Sequence, residues 1–343
     1  MTPILSVRHL KKHYHLKKPS LFSAAQPSVK AVDDVSFDIL EGETLSLVGE
    51  SGCGKTSLGQ TIMRVHAVTS GEVLYRMSDG REVDLAAASG KTLKAIHREV
   101  RMIFQDPNGS LNPRMNVRDI VGEPIRMAEG LSGRALDDRV SDLLGKVGLR
   151  PEYLTRYPHA FSGGERQRIG IARALALNPR LVVADEAVSA LDVSIQAQTL
   201  NLLADLKEEF GLTFLFIAHD LSVVRHISDR VAVMYVGRMV ELTETEALFT
   251  RPRHPYTEAL LSAVPIPDPR MRSKRRRVRL PGEVASPINP PSGCAFHPRC
   301  RFASEICKIE APQLRTVDGG LVACHHAEDL TLDGVDSLGV AAE

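Results

Sequence analysis

The sequence predicts an α/β fold: a sheet core, interrupted by a helical insert and followed by a Cys-rich extension. Three observations lead there. A glycine-rich octapeptide, Gly49-Glu50-Ser51-Gly52-Cys53-Gly54-Lys55-Thr56, stands between an apolar run and a helix-like stretch. Further strand-like stretches, Val100–Phe104 and the apolar runs Leu181–Ala184 and Thr213–Ala218, are each followed by polar or acidic residues. Four of the five cysteines fall between positions 294 and 324.

Composition sets the outer bounds. A chain of 343 residues suffices for one large domain with an appendage, or for two domains. Apolar residues at 43% and charged residues at 25% are ordinary for a globular protein. A net charge of +1 gives no bulk field to recruit nucleic acid, so no nucleic-acid partner is expected. No apolar run approaches the length of a membrane span, and residues 1–8 lack the apolar core of a secretory signal. A cytosolic protein is predicted, with membrane contact supplied by a partner.

Taken in order, Leu5–Leu10 alternates as a strand does. The basic segment Lys11–Lys18 carries one aromatic, Tyr14, which is either an adenine-stacking ring or a half-buried surface tyrosine. Residues 19–29 read as a loop, and Ala31–Ile39 as a second strand. Leu45–Val48 is then a buried strand running into Gly49–Thr56, with a helix opening at Ser57. Glycines 49, 52 and 54 let backbone N–H groups turn inward around phosphate oxygens. The helix N-terminus adds partial positive charge, Lys55 reaches the terminal phosphates and the Thr56 hydroxyl ligates Mg2+. Gly49, Ser51, Gly52, Cys53, Gly54, Lys55, Thr56 and Ser57 are the candidate nucleotide contacts; Cys53 is read as a small filler.

Gly71–Tyr75 and Val100–Phe104 are the next strands, the latter followed by Gln105-Asp106-Pro107. Helical spacing follows in Val117, Ile120, Val121 and Ile125, and again in Val140, Leu143, Leu144 and Val147, with Ser132 as an N-cap. An insert at about 110–165 results. It ends at Phe161-Ser162-Gly163-Gly164-Glu165, where a helix opens on bare amides: either an ordinary serine cap or a second phosphate-binding N-terminus. Leu181–Ala184 then leads into Asp185 and Glu186. The first carboxylate is suited to Mg2+, the second to polarising a water for attack on a γ-phosphate. Ser189–Asp192 follows, and the strand Thr213–Ala218 ends in His219, placed to reach a phosphate.

Together these residues resemble the ATP-binding subunits of ABC transporters over positions 1 to about 330. The resemblance implies a P-loop NTPase cassette with a RecA-like core and a helical subdomain, binding ATP and Mg2+. Gly49–Thr56 resembles Walker A, Gln105 the Q-loop, Phe161–Glu165 the signature, whose Ser162, Gly163, Gly164 and Glu165 would complete a site in trans, and Val182–Asp185 Walker B. Glu186 is then the catalytic carboxylate, Ser189–Asp192 the D-loop, His219 the switch histidine and Tyr14 the adenine-stacking ring. Three residues depart from the family pattern: Phe161 and Glu165 where leucine and glutamine are commonest, and Ala187 where proline is usual, which frees the loop. The implied partners are a second ATP-binding subunit, in a homo- or heterodimer, and two permease subunits. An extracytoplasmic solute-binding protein would act indirectly, and the chain would sit peripherally at the cytoplasmic face of the membrane.

The C-terminal region narrows the resemblance. Arg253–Pro269 and Ser286–Cys294 are similar to the dipeptide and oligopeptide importer branch, more to its second ATPase subunit type. This implies a cassette at 1–250, an extension at 251–343, and peptide as cargo. Related ATPases carrying nickel, glutathione or another small solute are the alternative, as is a soluble, non-transport ABC ATPase. The basic run at 270–279 reads as a solvated linker and residues from about 327 as a loose acidic tail. Cys294, Cys300, Cys307 and Cys324 are spaced by five, six and sixteen residues. In a chain expected to be cytosolic, clustered thiols suggest metal: an iron–sulfur centre, zinc, or neither. The peptide-importer resemblance favours a 4Fe–4S cluster; His325 and His326 keep zinc as an alternative.

Overall fold

The computed structural model describes residues 2–16, 27–189, 191–264 and 278–335, with the side chains of 107 and 108 left aside. Most of the loop expected at 19–29, Ala190 of the D-loop, the Pro265–Pro269 stretch, the basic run up to 277 and the tail beyond 335 lie outside the described residues. The chain forms two compact units. One comprises Met1–Leu5, Asp38–Thr44 and Leu74–Ile217; the other comprises Ser6–Phe37, Leu45–Val73 and Ala218–Glu343.

The regular elements begin with β1 (Pro3–His15), β2 (Ser28–Leu40), β3 (Thr44–Val48) and α1 (Lys55–Ile62). Next come β4 (Ser70–Arg76), β5 (Glu82–Asp84), α2 (Gly90–Glu99), β6 (Val100–Ile103) and α3 (Pro107–Ser110). The insert contributes α4 (Val117–Glu129) and α5 (Gly133–Lys146), and is followed by α6 (Gly163–Leu175). Then follow β7 (Leu181–Asp185), α7 (Val193–Phe210), β8 (Thr213–Ile217), α8 (Leu221–Ile227), β9 (Arg230–Tyr235) and β10 (Arg238–Glu244). The chain continues through α9 (Thr245–Thr250) and α10 (Pro255–Ala263) to a short helix, Glu305–Ile309, and to β11 (Arg315–Val317) and β12 (Gly320–Val322).

In the first unit β6, β7 and β8 run parallel, with Val100 opposite Leu181 and Leu181 opposite Thr213. Every residue of β7 and β8 is buried, so the continuous apolar runs reflect cover on both faces. The one polar residue of β8, Thr213, is satisfied: its hydroxyl accepts the Gly42 N–H at 2.9 Å. In the insert, Val117, Ile120, Val121 and Ile125 of α4 are buried, as are Val140, Leu143, Leu144 and Val147 of the next helix and its end. Asn116 caps α4 by accepting the Asp119 N–H. Ser132 holds the N-cap position of α5, but its side chain makes no cap hydrogen bond, so the predicted cap is positional only.

In the second unit β3 lies parallel to β9, with Leu45 opposite Arg230 and Val48 opposite Val233. β9 pairs antiparallel with β10, β10 with β12, and β12 with β11. The register shifts between Met239 and Glu241, a bulge that turns the Glu241 carboxyl inward, where it is 1% exposed. Two expectations are corrected here. β1 spans Pro3–His15, well beyond the expected Leu5–Leu10, so the basic segment is strand as far as His15. Residues 327–335 are no loose tail: Ala327 and Leu332 are buried, the Asp333 N–H donates to Glu258, and the Val335 N–H donates to the Phe249 carbonyl.

Candidate functional site

The phosphate loop leaves fully buried β3 and enters α1. Gly49 and Gly54 have φ of 152° and 106°, and a Cβ at either would run into the carbonyl of Met234 or of Ala31. Only glycine fits both the backbone and the space there. The Lys55 side chain is buried, and its ammonium donates to the carbonyls of Gly49 at 2.7 Å and Glu50 at 3.2 Å. Those two bonds park the cation within the loop it is predicted to serve. Cys53 is 1% exposed, and burial pushes its thiol above the usual range while Lys55 draws it down. It fits the filler role.

Tyr14, at the end of β1, meets the His66 ring edge-on at 5.5 Å and carries the Lys12 ammonium 4.6 Å from its ring centre. His219 lies beyond β8 and lines a cavity of about 270 Å³ together with Val48, Gly49, Asp220 and Leu221. The start of the phosphate loop and the predicted switch histidine therefore share one cleft of the second unit. Thr56 and Ser57 are half-buried on the first turn of α1, while Ser51 and Gly52 are exposed at the tip of the loop.

The first unit brings together a second group. Asp185 closes β7 and is 2% exposed. Glu186 follows with φ of 45°, a left-handed backbone that costs a non-glycine residue roughly 1 kcal/mol or more. Its N–H donates to the Ile217 carbonyl, and its own carbonyl accepts from the N–H and hydroxyl of Ser189, so the strained turn is held at both ends. Ala187 and Val188 are buried, and the loop without its usual proline is thus packed down rather than free. Gln105 donates from Nε2 to the Glu186 carboxylate at 2.7 Å.

At the start of α6, Ser162 and Glu165 form a capping box. The Ser162 hydroxyl accepts the Glu165 N–H, and the Glu165 carboxylate accepts the Ser162 N–H. Glutamate serves there as glutamine would, which accounts for that departure. The exposed Gly163 and half-buried Gly164 open the same turn. Phe161, the other departure, is buried and meets Tyr153 edge-on at 5.3 Å. Asp192 caps α7 by accepting the Ile195 N–H, a bond that holds its carboxyl below the usual range.

The cysteines of the C-terminal region gather in the second unit. The Cys294 N–H donates to the Cys307 carbonyl, and Cys307 and Cys324 are buried. Burial first, and then the neighbouring cysteines, push the Cys300 thiol up to about 11 and the Cys324 thiol up to about 12. Cys294 is raised for the same reasons. Yet among the described residues no three His, Cys, Asp or Glu side chains stand where they could together hold a metal ion. The thiols feel one another without forming a ligand set, and the metal expectation is not met by this geometry.

Sequence reasoning missed one contact at the phosphate loop. Arg299, in a 3-10 turn at His297–Arg299, forks onto the Glu50 carboxylate at 2.7 and 3.2 Å, and the Tyr256 hydroxyl accepts the Glu50 N–H at 2.8 Å. The signal was present: an acidic side chain inside a phosphate-binding loop calls for a counter-charge.

No helix among the described residues is long and apolar enough to cross a membrane. The model of the ABC transporter family matches residues 32–189, and that of the oligopeptide/dipeptide transporter C-terminal region matches residues 240–307. The chain is 54% identical over 325 residues to the putative oligopeptide transport ATP-binding protein YkfD of Bacillus subtilis, covering 94% of this chain and 95% of that one. It is 50% identical to the dipeptide transport ATP-binding protein DppF of Haemophilus influenzae, covering 95% and 98%. Among solved structures, an ATP-binding cassette dimer in a post-hydrolysis state with ADP and Pi superposes with a TM-score of 0.61 at 27% identity, covering 70% of this chain and 98% of that one. The fold, the order of its motifs and the end-to-end likeness agree: the chain belongs to the ATP-binding proteins of the ABC transporter family and carries that family's oligopeptide/dipeptide transporter C-terminal region.

Proposed function

We propose that this chain hydrolyses Mg-ATP to power uptake of dipeptides or oligopeptides through partner permeases. The observation that carries the reading is the likeness to peptide-transport ATP-binding proteins along about 95% of the chain, through the C-terminal region as well as the cassette. In this reading Gly49, Ser51, Gly52, Cys53, Gly54, Lys55, Thr56 and Ser57 hold the phosphates and, with Asp185, the Mg2+. Tyr14 stacks on adenine. Glu186 polarises the attacking water, oriented by Gln105 and helped by His219. Ser162, Gly163, Gly164 and Glu165 face a nucleotide bound by a second ATP-binding subunit. The cassette occupies 1–250 with its insert at 110–165, and 251–343 is the transporter-specific extension. The complex adds two permeases and an extracytoplasmic binding protein, and this chain sits at the cytoplasmic face of the membrane.

Reconstitution in proteoliposomes with two permease subunits and a second ATP-binding subunit tests the cargo. ATP-dependent uptake of a labelled dipeptide or oligopeptide is expected. Uptake of nickel or glutathione but no peptide would replace the cargo and keep the ATPase; ATP hydrolysis with no permease association would point to a soluble ABC ATPase.

The finer metal reading is proposed on the clustering of four thiols and on the likeness to peptide-importer ATPases: Cys294, Cys300, Cys307 and Cys324 would hold a 4Fe–4S cluster once their side chains close in. Anaerobically purified protein would then be brown, with about four irons per chain. About one zinc ion per chain would indicate a tetrahedral zinc site. Four alkylatable thiols without metal would remove both.

A further inference from the structure

The phosphate loop contains a single acidic side chain, Glu50, next to the first glycine. An anion there opposes the charge of the ligand the loop is built to receive, and it is only 28% exposed. Its neutralisation comes from 249 residues away in sequence. The Arg299 guanidinium, 8% exposed, meets both carboxylate oxygens in a two-pronged fork, the geometry in which an arginine gives orientation as well as charge. The loop backbone is gripped at the same residue, because the Glu50 N–H donates to the Tyr256 hydroxyl. Its carbonyl takes one of the Lys55 bonds. All three polar groups of Glu50 are thus engaged, two of them by the C-terminal half of the chain.

The arginine is itself held firmly. Phe296, three residues earlier, is 1% exposed and packs on Tyr235 at 5.2 Å and Tyr256 at 5.4 Å. The turn between them is closed by the Arg299 N–H donating to the Phe296 carbonyl. Phe296 anchors the turn in an aromatic cluster, and the turn aims Arg299 at the loop.

We propose that Arg299 is a positioning residue for ATP: its fork on Glu50 cancels the one negative charge in the phosphate loop and fixes the loop's first turn for nucleotide. It acts through Glu50 and touches no reacting atom. The inference rests on ATP binding at the loop, which is checked separately: Lys55→Ala that binds Mg-ATP like wild type would overturn that reading and this inference with it, whereas weakened binding by Lys55→Ala beside unchanged binding by Arg299→Ala would overturn this inference alone.

The test is a Mg-ATP titration by calorimetry on the full chain and its variants. Arg299→Ala should weaken binding about tenfold or more, the effect of losing a hydrogen-bonded charge partner. Arg299→Lys, which keeps charge but not the fork, should lose less. The deciding variant is the double substitution Glu50→Gln with Arg299→Ala, in which the carboxylate needing compensation is gone. It should recover most of the affinity lost by Arg299→Ala. A merely structural arginine would give no such recovery. Where Arg299→Ala fails to fold, Arg299→Lys with and without Glu50→Gln carries the same comparison. Unchanged affinity in the single arginine variant, or no recovery in the double one, overturns the proposal.

Discussion

The Gln105 amide donates to the Glu186 carboxylate across 2.7 Å, joining the end of β6 to the end of β7. The bond holds a carboxylate on a left-handed backbone in one orientation. It also links a residue at the entrance to the helical insert with the proposed base. Gln105→Ala should therefore lower the rate of hydrolysis by about 10- to 100-fold, through misorientation of the base, while ATP affinity changes less than about threefold. Steady-state phosphate release and direct ATP titration separate the two effects. Equal loss of both would place Gln105 in the nucleotide pocket instead.

Gly54→Ala tests the loop backbone. The new methyl group meets the Ala31 carbonyl at a φ of 106°, so both sterics and conformation oppose it. The variant should melt lower than wild type and lose the rise in Tm that Mg-ATP gives. A normal ligand-induced rise would mean that the loop can bind phosphate in another shape.

Glu241 predicts a pH signature. Buried on β10, with its carboxylate accepting the N–H groups of Arg253 and His254, it is pushed up by burial from an ordinary 4.5 to about 7. Between those two values the folded chain holds the proton more tightly than the unfolded chain. Stability from this group is thus full below pH 4.5 and declines as pH rises to 7, by an amount on the order of 3 kcal/mol. His254, lowered to about 3 by burial, works in the opposite sense between pH 3 and 6.5 and cancels in a comparison of variants. The Tm of Glu241→Gln minus that of wild type should become more favourable from pH 5 to pH 8. A flat difference would mean that Glu241 keeps an ordinary pKa.

Much of this was legible in the residues, and the exceptions have physical causes. The phosphate loop, the Asp185-Glu186 strand end and both insert helices declare themselves by local spacing, because each is built from neighbours in sequence. The β11–β12 hairpin is legible too: Asp318-Gly319, with φ of 47° and 85°, is a two-residue turn signal flanked by Arg315-Thr316-Val317 and Gly320-Leu321-Val322. Which residue balances Glu50, and the packing of residues 327–335, could not be read that way, since their partners lie hundreds of positions or several elements away. Spacing also favoured metal for the four cysteines, whereas their placement shows thiols that sense one another without forming a ligand set.

The hairpin makes its own prediction. β12 covers one edge of β10, with Glu241 opposite Val322 and Leu242 opposite Leu321. A chain ending at residue 313 would leave that edge open and lose the small core of Val317, Val322, Cys324 and Ala327 along with the hairpin. It should self-associate, seen as a shift to larger species on size-exclusion chromatography. A monodisperse truncated chain with wild-type Tm would show that the edge needs no cover.

The most direct test of the account is phosphate release by Glu186→Gln, measured beside its ATP affinity. The substitution keeps the shape and the bond to Gln105 possible but removes the base. Hydrolysis should fall by at least about 100-fold with ATP still bound, and the uncleaved nucleotide should promote dimers with the second ATP-binding subunit. Phosphate release near the wild-type rate would contradict the assignment of Glu186, and with it the mechanism proposed for this chain.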